Sequence, residues 1–85
     1  MGLSARDRAI LDFERSWWKH PGPKEAAIRQ ELGMSATRYY QVLRGLADDP
    51  GAYHHDPLTV LRVRRERDRR RRERLEGRRA DPGSR

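Results

Sequence analysis

The stretch from Lys24 to Leu46, KEAAIRQELGMSATRYYQVLRGL, constrains the fold of this chain more than any other. One helical pattern stops at Gly33 and a second begins behind Ser35. Glycine takes the left-handed backbone that ends a helix without steric cost, and a serine hydroxyl can cap the amides that open the next one. Two helices joined so tightly cross at a sharp angle and must bury facing stripes. On a helix-turn-helix template with Gly33 as the turn glycine, the buried positions become Ile28, Leu32, Met34, Tyr39 and Val42, all apolar or aromatic. Arg29 stands where the template carries a small residue. Either the helices cross at a less usual angle, or the arginine stem bends out to solvent.

The flanking residues complete a bundle. Ser4 followed by Asp7 resembles a capping box and starts a first helix, from about Ala5 to about Lys19. Ile10, Phe13 and Trp17 share its inner face, with Leu11 and Trp18 on the flank. Pro21-Gly22-Pro23 ends it, and Pro23 suits the first position of the second helix, which turns Ala27, Ile28 and Leu32 inward. The third helix runs to about Ala47 with Tyr39, Val42, Leu43 and Leu46 inside. Asp48-Asp49-Pro50-Gly51 reads as a stop and a turn, and Ala52 to Asp56 as a connector. Asp56 then caps, and Pro57 opens, a fourth helix that can dock through Leu58, Leu61 and Val60. The expected fold is all-α: a three-helix bundle containing the helix-turn-helix (residues 1–61, motif 24–46), followed by a basic C-terminal helical arm (62–85).

Charge separates these two parts. In residues 1–61, eight Lys or Arg balance eight Asp or Glu; in residues 62–85, twelve Arg face five acids, which accounts for the whole net charge of +7. Only 34% of the chain is hydrophobic, most of it before position 64, so the core is that of a small and marginally stable bundle. Beyond Val63 the segment RRERDRRRRERLEGRR holds one apolar residue, Leu75, so no packing face is expected there. Pairs such as Glu66 with Arg70 and Asp68 with Arg72 add about 0.2–0.5 kcal/mol each, against repulsion within Arg69 to Arg72. A helix that frays by about Gly77, with Ala80 to Arg85 disordered, is expected.

Several function classes are disfavoured. Cysteine is absent, which removes disulfides, thiol chemistry and cysteine-based zinc sites. No apolar run approaches the roughly 20 residues needed to cross a bilayer, and the N-terminus lacks signal-peptide and myristoylation patterns, so a soluble cytoplasmic protein is expected. Adjacent His54 and His55 rarely share one ion, and apart from Asp56 no carboxylate or cysteine stands at a useful spacing, so with His20 they read as loop residues. No set of nucleophile, base and orienting group is recognisable, and a glycine-rich phosphate loop is absent. The reading is non-enzymatic, without metal or cofactor.

In the helix-turn-helix template the outward positions of the recognition helix, residues 36–47, map to Ser35, Ala36, Thr37, Tyr40, Gln41 and Arg44. Gln41 suits adenine, and Arg44 suits guanine or phosphate. Ser35, Thr37 and the helix N-terminal amides suit phosphate oxygens, and Arg38, pointing somewhat away, suits a phosphate contact at best. The alternative is a solvated helix face. Arg62, Arg64, Arg65, Arg67, Arg69, Arg70, Arg71, Arg72 and Arg74 can hold phosphates bidentately and make binding steeply salt-dependent. That arm can equally serve RNA, or solubility alone. Trp18, next to an inward Trp17, is either a cover for the C-terminal helix or an anchor for a partner protein.

The segments Asp12–Lys19 (DFERSWWK) and Gly33–Leu43 (GMSATRYYQVL) carry a resemblance. From Arg6 to about Arg65 the chain resembles a family of short actinobacterial proteins catalogued as a domain of unknown function. The resemblance implies a bacterial, cytoplasmic helix-turn-helix protein and supplies no activity. The motif is also loosely similar to that of sigma factor region 4. Two functions are therefore expected as alternatives. The first is a small regulator that binds double-stranded DNA. The second is an interaction module for RNA polymerase or a sigma factor, with the arm on nucleic acid. The oligomeric state is left open.

Overall fold

The computed structural model describes residues 2–80, with side chains for residues 2–76. It is all-helical over this range. Helix α1 spans Ala5–Ser16, and the Ser4 hydroxyl accepts from the Asp7 amide at 3.0 Å, the cap its sequence implies. The helix ends earlier than expected. Trp17–Lys19 tightens into a 3-10 turn, closed by the His20 amide donating to the Trp17 carbonyl at 2.9 Å. The cause is Pro21, which keeps the preceding residue extended; His20 has φ −86° and ψ 140°. Pro23 is likewise extended and stands one position before α2, as its N-cap and not its first residue.

Helix α2 spans Lys24–Leu32 and stops at Gly33, whose φ of 67° is left-handed. Helix α3 spans Ala36–Leu46, with the Ser35 hydroxyl accepting from the Arg38 amide at 3.1 Å. Arg29 is exposed, so its stem does leave the interface. What reads as a turn and connector is a helix, α4, over Pro50–His55. The Asp49 carboxylate accepts from the Gly51 amide at 2.8 Å, and Pro50 opens the first turn. Ala52 from this helix is fully buried.

Helix α5 spans Pro57–Ala80 and continues past Gly77, where fraying was expected. Of the segment expected to be disordered, Ala80 is instead the last residue of α5, and residues 81–85 lie outside the described residues. The Asp56 carboxylate accepts from the Thr59 amide at 3.3 Å and from the Thr59 hydroxyl at 2.7 Å, and both side chains are buried. That buried pair sets the rotation of α5. Thr59, Val60 and Val63 turn into the core, Leu61 is half-buried, and Leu58 is 79% exposed, contrary to the docking role expected for it.

The core gathers Ile10, Leu11 and Phe13 from α1, Ala27 and Ile28 from α2, and Tyr39, Leu43 and Leu46 from α3, closed by Ala52, Val60 and Val63. Leu11 is a full core member, while Trp17 is half-buried because the 3-10 turn rotates it off the helical stripe. Leu32, Met34 and Val42 pack half-buried against this cluster, and Ile28 and Tyr39 are fully enclosed. The template's inward positions thus all contact the core.

Asp56→Ala is expected to cost about 0.5–2 kcal/mol, since it removes a helix cap. In a domain of this size each kcal/mol lowers the melting temperature by roughly 4–8 °C. Leu58→Ala should change stability by less than about 0.5 kcal/mol. Thermal melts followed by circular dichroism check both values.

Candidate nucleic-acid interface

The outward face of α3 forms because Tyr39, Leu43 and Leu46 occupy its other side. Thr37, Arg38, Gln41 and Arg44 are exposed there, as the sequence implies. Ser35 is exposed too, with its oxygen engaged as the α3 cap. Tyr40 and Ala36 are half-buried. Tyr40 lies edge-on to Tyr39, with ring centroids 5.0 Å apart, and beneath the Lys24 ammonium at 5.1 Å. It is a wall of the site more than a freely reaching side chain.

Behind this face lies a charged cluster that sequence reasoning missed. Glu14, only 9% exposed, accepts a hydrogen bond from the Tyr39 hydroxyl. Its carboxylate also meets Lys24 Nζ at 2.8 Å and Arg62 Nη2 at 3.4 Å, and Arg62 donates to the Glu14 backbone carbonyl at 2.9 Å. Lys24 Nζ is 5.1 Å from the centre of the Trp17 ring as well, so the cation is held by a carboxylate and by π faces together. Burial first, and then the hydrogen bond to Glu14, holds the Tyr39 hydroxyl far above the ordinary tyrosine range, so it stays protonated as a donor. A signal was available: Glu14 sits four residues after Ile10 and three before Trp17, on an otherwise apolar stripe.

The arginines of α5 divide by depth. Arg62 is held by Glu14. Arg64 donates to the Ala47 carbonyl at the end of α3 at 2.6 Å, with its guanidinium 5.6 Å from the Tyr53 ring centre. Arg67 meets the Asp48 carboxylate at 3.0 Å. These three, expected among the phosphate ligands, hold α5 to the body here. Beyond them, Arg70, Arg71 and Arg74 face α3 across a cleft of about 360 Å³ that is also bordered by Lys24, Tyr40 and Arg44. Seven cationic side chains and two carboxylates, Glu14 and Glu66, line it. The spacing of Val60, Val63, Arg67, Arg70 and Arg74 is that of one helical face. A packing face therefore does persist past Val63, carried by arginines where the apolar residues stop.

The other arginines lie elsewhere. Arg69 approaches Glu66 at 3.6 Å and Glu73 at 4.0 Å, while Asp68 pairs with Arg67 at 3.3 Å. The expected Glu66–Arg70 and Asp68–Arg72 pairs do not form among the described residues: Glu66 pairs with Arg69 and Asp68 with Arg67 instead. Arg72 is exposed, and Arg65 borders a second, shallow groove with Trp18, Leu58 and Leu61. Trp18, 57% exposed, stands beside α5 and is not covered by it. His20 stacks on Phe13 with centroids 5.6 Å apart, and His55 Nε2 lies 2.9 Å from Asp12. No group of three or more metal-ligating side chains occurs among the described residues, and no helix among them is long and apolar enough to cross a membrane.

Fold and site together define a small helical bundle with a rigidly rooted, arginine-faced helix. Residues 2–75 match the family described as "Protein of unknown function (DUF3263)", and the chain belongs to that family. No curated protein and no solved structure matches it.

Glu14→Ala leaves the Tyr39 hydroxyl buried without its acceptor and Lys24 without its carboxylate. The expected loss is on the order of 1–3 kcal/mol in urea unfolding, whereas exposed Glu25→Ala should stay within about 0.5 kcal/mol.

Proposed function

We propose that this protein is a small, non-enzymatic regulator that binds double-stranded DNA in the cytoplasm, with α3 as the recognition helix. The observation that supports this reading is that Arg44, on the exposed face of α3, and the free arginine face of α5 border one cleft, with Thr37 and Gln41 exposed on the same face of α3 beside it. Thr37, Gln41 and Arg44 stand where a helix in the major groove addresses base edges. Ser35 and Arg38 serve neighbouring phosphates. Arg70, Arg71 and Arg74 take phosphates of the strand beside that groove, and Arg65, Arg69 and Arg72 add sequence-independent attraction. Among the described residues Arg44, Arg70, Arg71 and Arg74 have no carboxylate within ion-pair distance, so no internal pair must break when phosphate arrives. The loose similarity of the motif to sigma factor region 4, and the bacterial setting implied by the resemblance to an actinobacterial family, agree with this role.

Fluorescence anisotropy on labelled duplexes across a salt series tests the proposal. The triple variant Arg70→Ala, Arg71→Ala, Arg74→Ala should weaken binding to all sequences and flatten the log–log salt slope by about 2–3, at roughly 0.9 per phosphate contact. Gln41→Ala and Arg44→Ala should each cost about 1–3 kcal/mol on a selected sequence and less on random DNA. Equal losses on both would refute α3 as the reading helix.

A further inference from the structure

The face of α5 opposite the cleft carries a second surface, independent of any nucleic acid. At its root Leu58 is 79% exposed and Trp18, from the 3-10 turn, 57% exposed; with half-buried Leu61 they form an apolar groove of about 330 Å³. Leaving both large side chains in water is unfavourable, since tryptophan alone carries roughly 150–250 Å² that burial would reward. Arg15 and Arg65 rim the groove, and both are exposed. Among the described residues neither lies within ion-pair distance of a carboxylate. The one acid in the lining, Asp56, is buried and engaged by Thr59. Arg62, also in the lining, is held by Glu14, so an apolar floor with two unpaired arginines at its rim remains.

We infer that this groove docks an acidic amphipathic helix of a partner protein. Charge complementarity selects the occupant: Asp or Glu flanking an apolar stripe meets Arg15 and Arg65 while the stripe covers Trp18 and Leu58. A second copy fits poorly, because a two-fold contact sets the arginine rim against itself. A nucleic acid would leave the apolar floor without a matching surface. Trp18 is the anchor, and the two arginines set orientation and partner choice.

The test is selection of phage-displayed random peptides on the immobilised full-length protein, followed by titration of the synthesised winners. The expected winners carry apolar residues at helical spacing flanked by Asp or Glu. Trp18→Ala, and the pair Arg15→Glu with Arg65→Glu, should each weaken binding by at least about tenfold, the scale of a hot-spot loss. The variant lacking Arg70, Arg71 and Arg74 should bind within about twofold, which separates this groove from the cleft. Because Trp18 and Leu58 are exposed, unchanged melting curves for Trp18→Ala and Leu58→Ser verify folding. Four results would overturn the inference: no enrichment, winners without acidic bias, equal binding to Trp18→Ala, or a groove filled otherwise. The last would show as a dimer in sedimentation that Leu58→Ser dissolves, or as Trp18-dependent binding to phosphatidylserine vesicles only.

Discussion

The carboxylate of Glu14 is the point on which four helices converge. From α1 it reaches Tyr39 of α3, Lys24 at the start of α2 and Arg62 of α5. A carboxylate with so little solvent would be costly if left alone, and removing its partners singly would strand it. Satisfied together, these groups fix positions that an apolar contact would leave free to slide. The apolar core supplies the driving force; the cluster supplies register. It also decides what α3 can present, because Tyr39 and Lys24 hold Tyr40 as a wall and leave Thr37, Gln41 and Arg44 as the projecting groups.

The same cluster explains why a basic segment with almost no apolar residues emerges as an ordered helix. An isolated helix with so much like charge is weakly stable by itself. Here its first turns are nucleated by Val60, Val63 and the Asp56–Thr59 cap, then held by Arg62, Arg64 and Arg67. Nucleation, the costly step, is thus met inside the body, and propagation needs little more. Three guanidinium groups are consumed in the process. The net charge of +7 therefore overstates the cations free to meet a partner.

Local chemistry was legible in the sequence, and tertiary choices were not. The caps at Ser4, Ser35 and Asp56 and the left-handed Gly33 depend on neighbours within a few residues, and all four occur as read. Helix α4 carried the same Asp-Pro signal as α5, and its overlooked start at Asp49-Pro50 is an error of reading, not of information. Leu58 is different. Hydrophobicity favours its burial, but the Asp56–Thr59 pair rotates the helix so that a threonine goes in and the leucine goes out. Nothing at the level of periodicity ranks a buried hydrogen-bonded pair above a leucine. Glu14 marks the same limit: its place on an apolar stripe was visible, whereas its partners Lys24, Tyr39 and Arg62 come from three other helices.

The attachments of α5 are graded along its length, and the grading bears on how the cleft can be used. At the root, Arg62 binds a carboxylate that is almost fully enclosed, so that link resists separation. Farther out, Arg67 pairs with Asp48, whose side chain is largely exposed, and solvent screening leaves such a pair weak. Past Arg67, no ion pair among the described residues ties α5 to the body. The outer end of the cleft therefore opens at small cost while its inner end stays fixed. Rigidity at the root and yielding at the rim let one short helix both complete the fold and adapt to what lies against it.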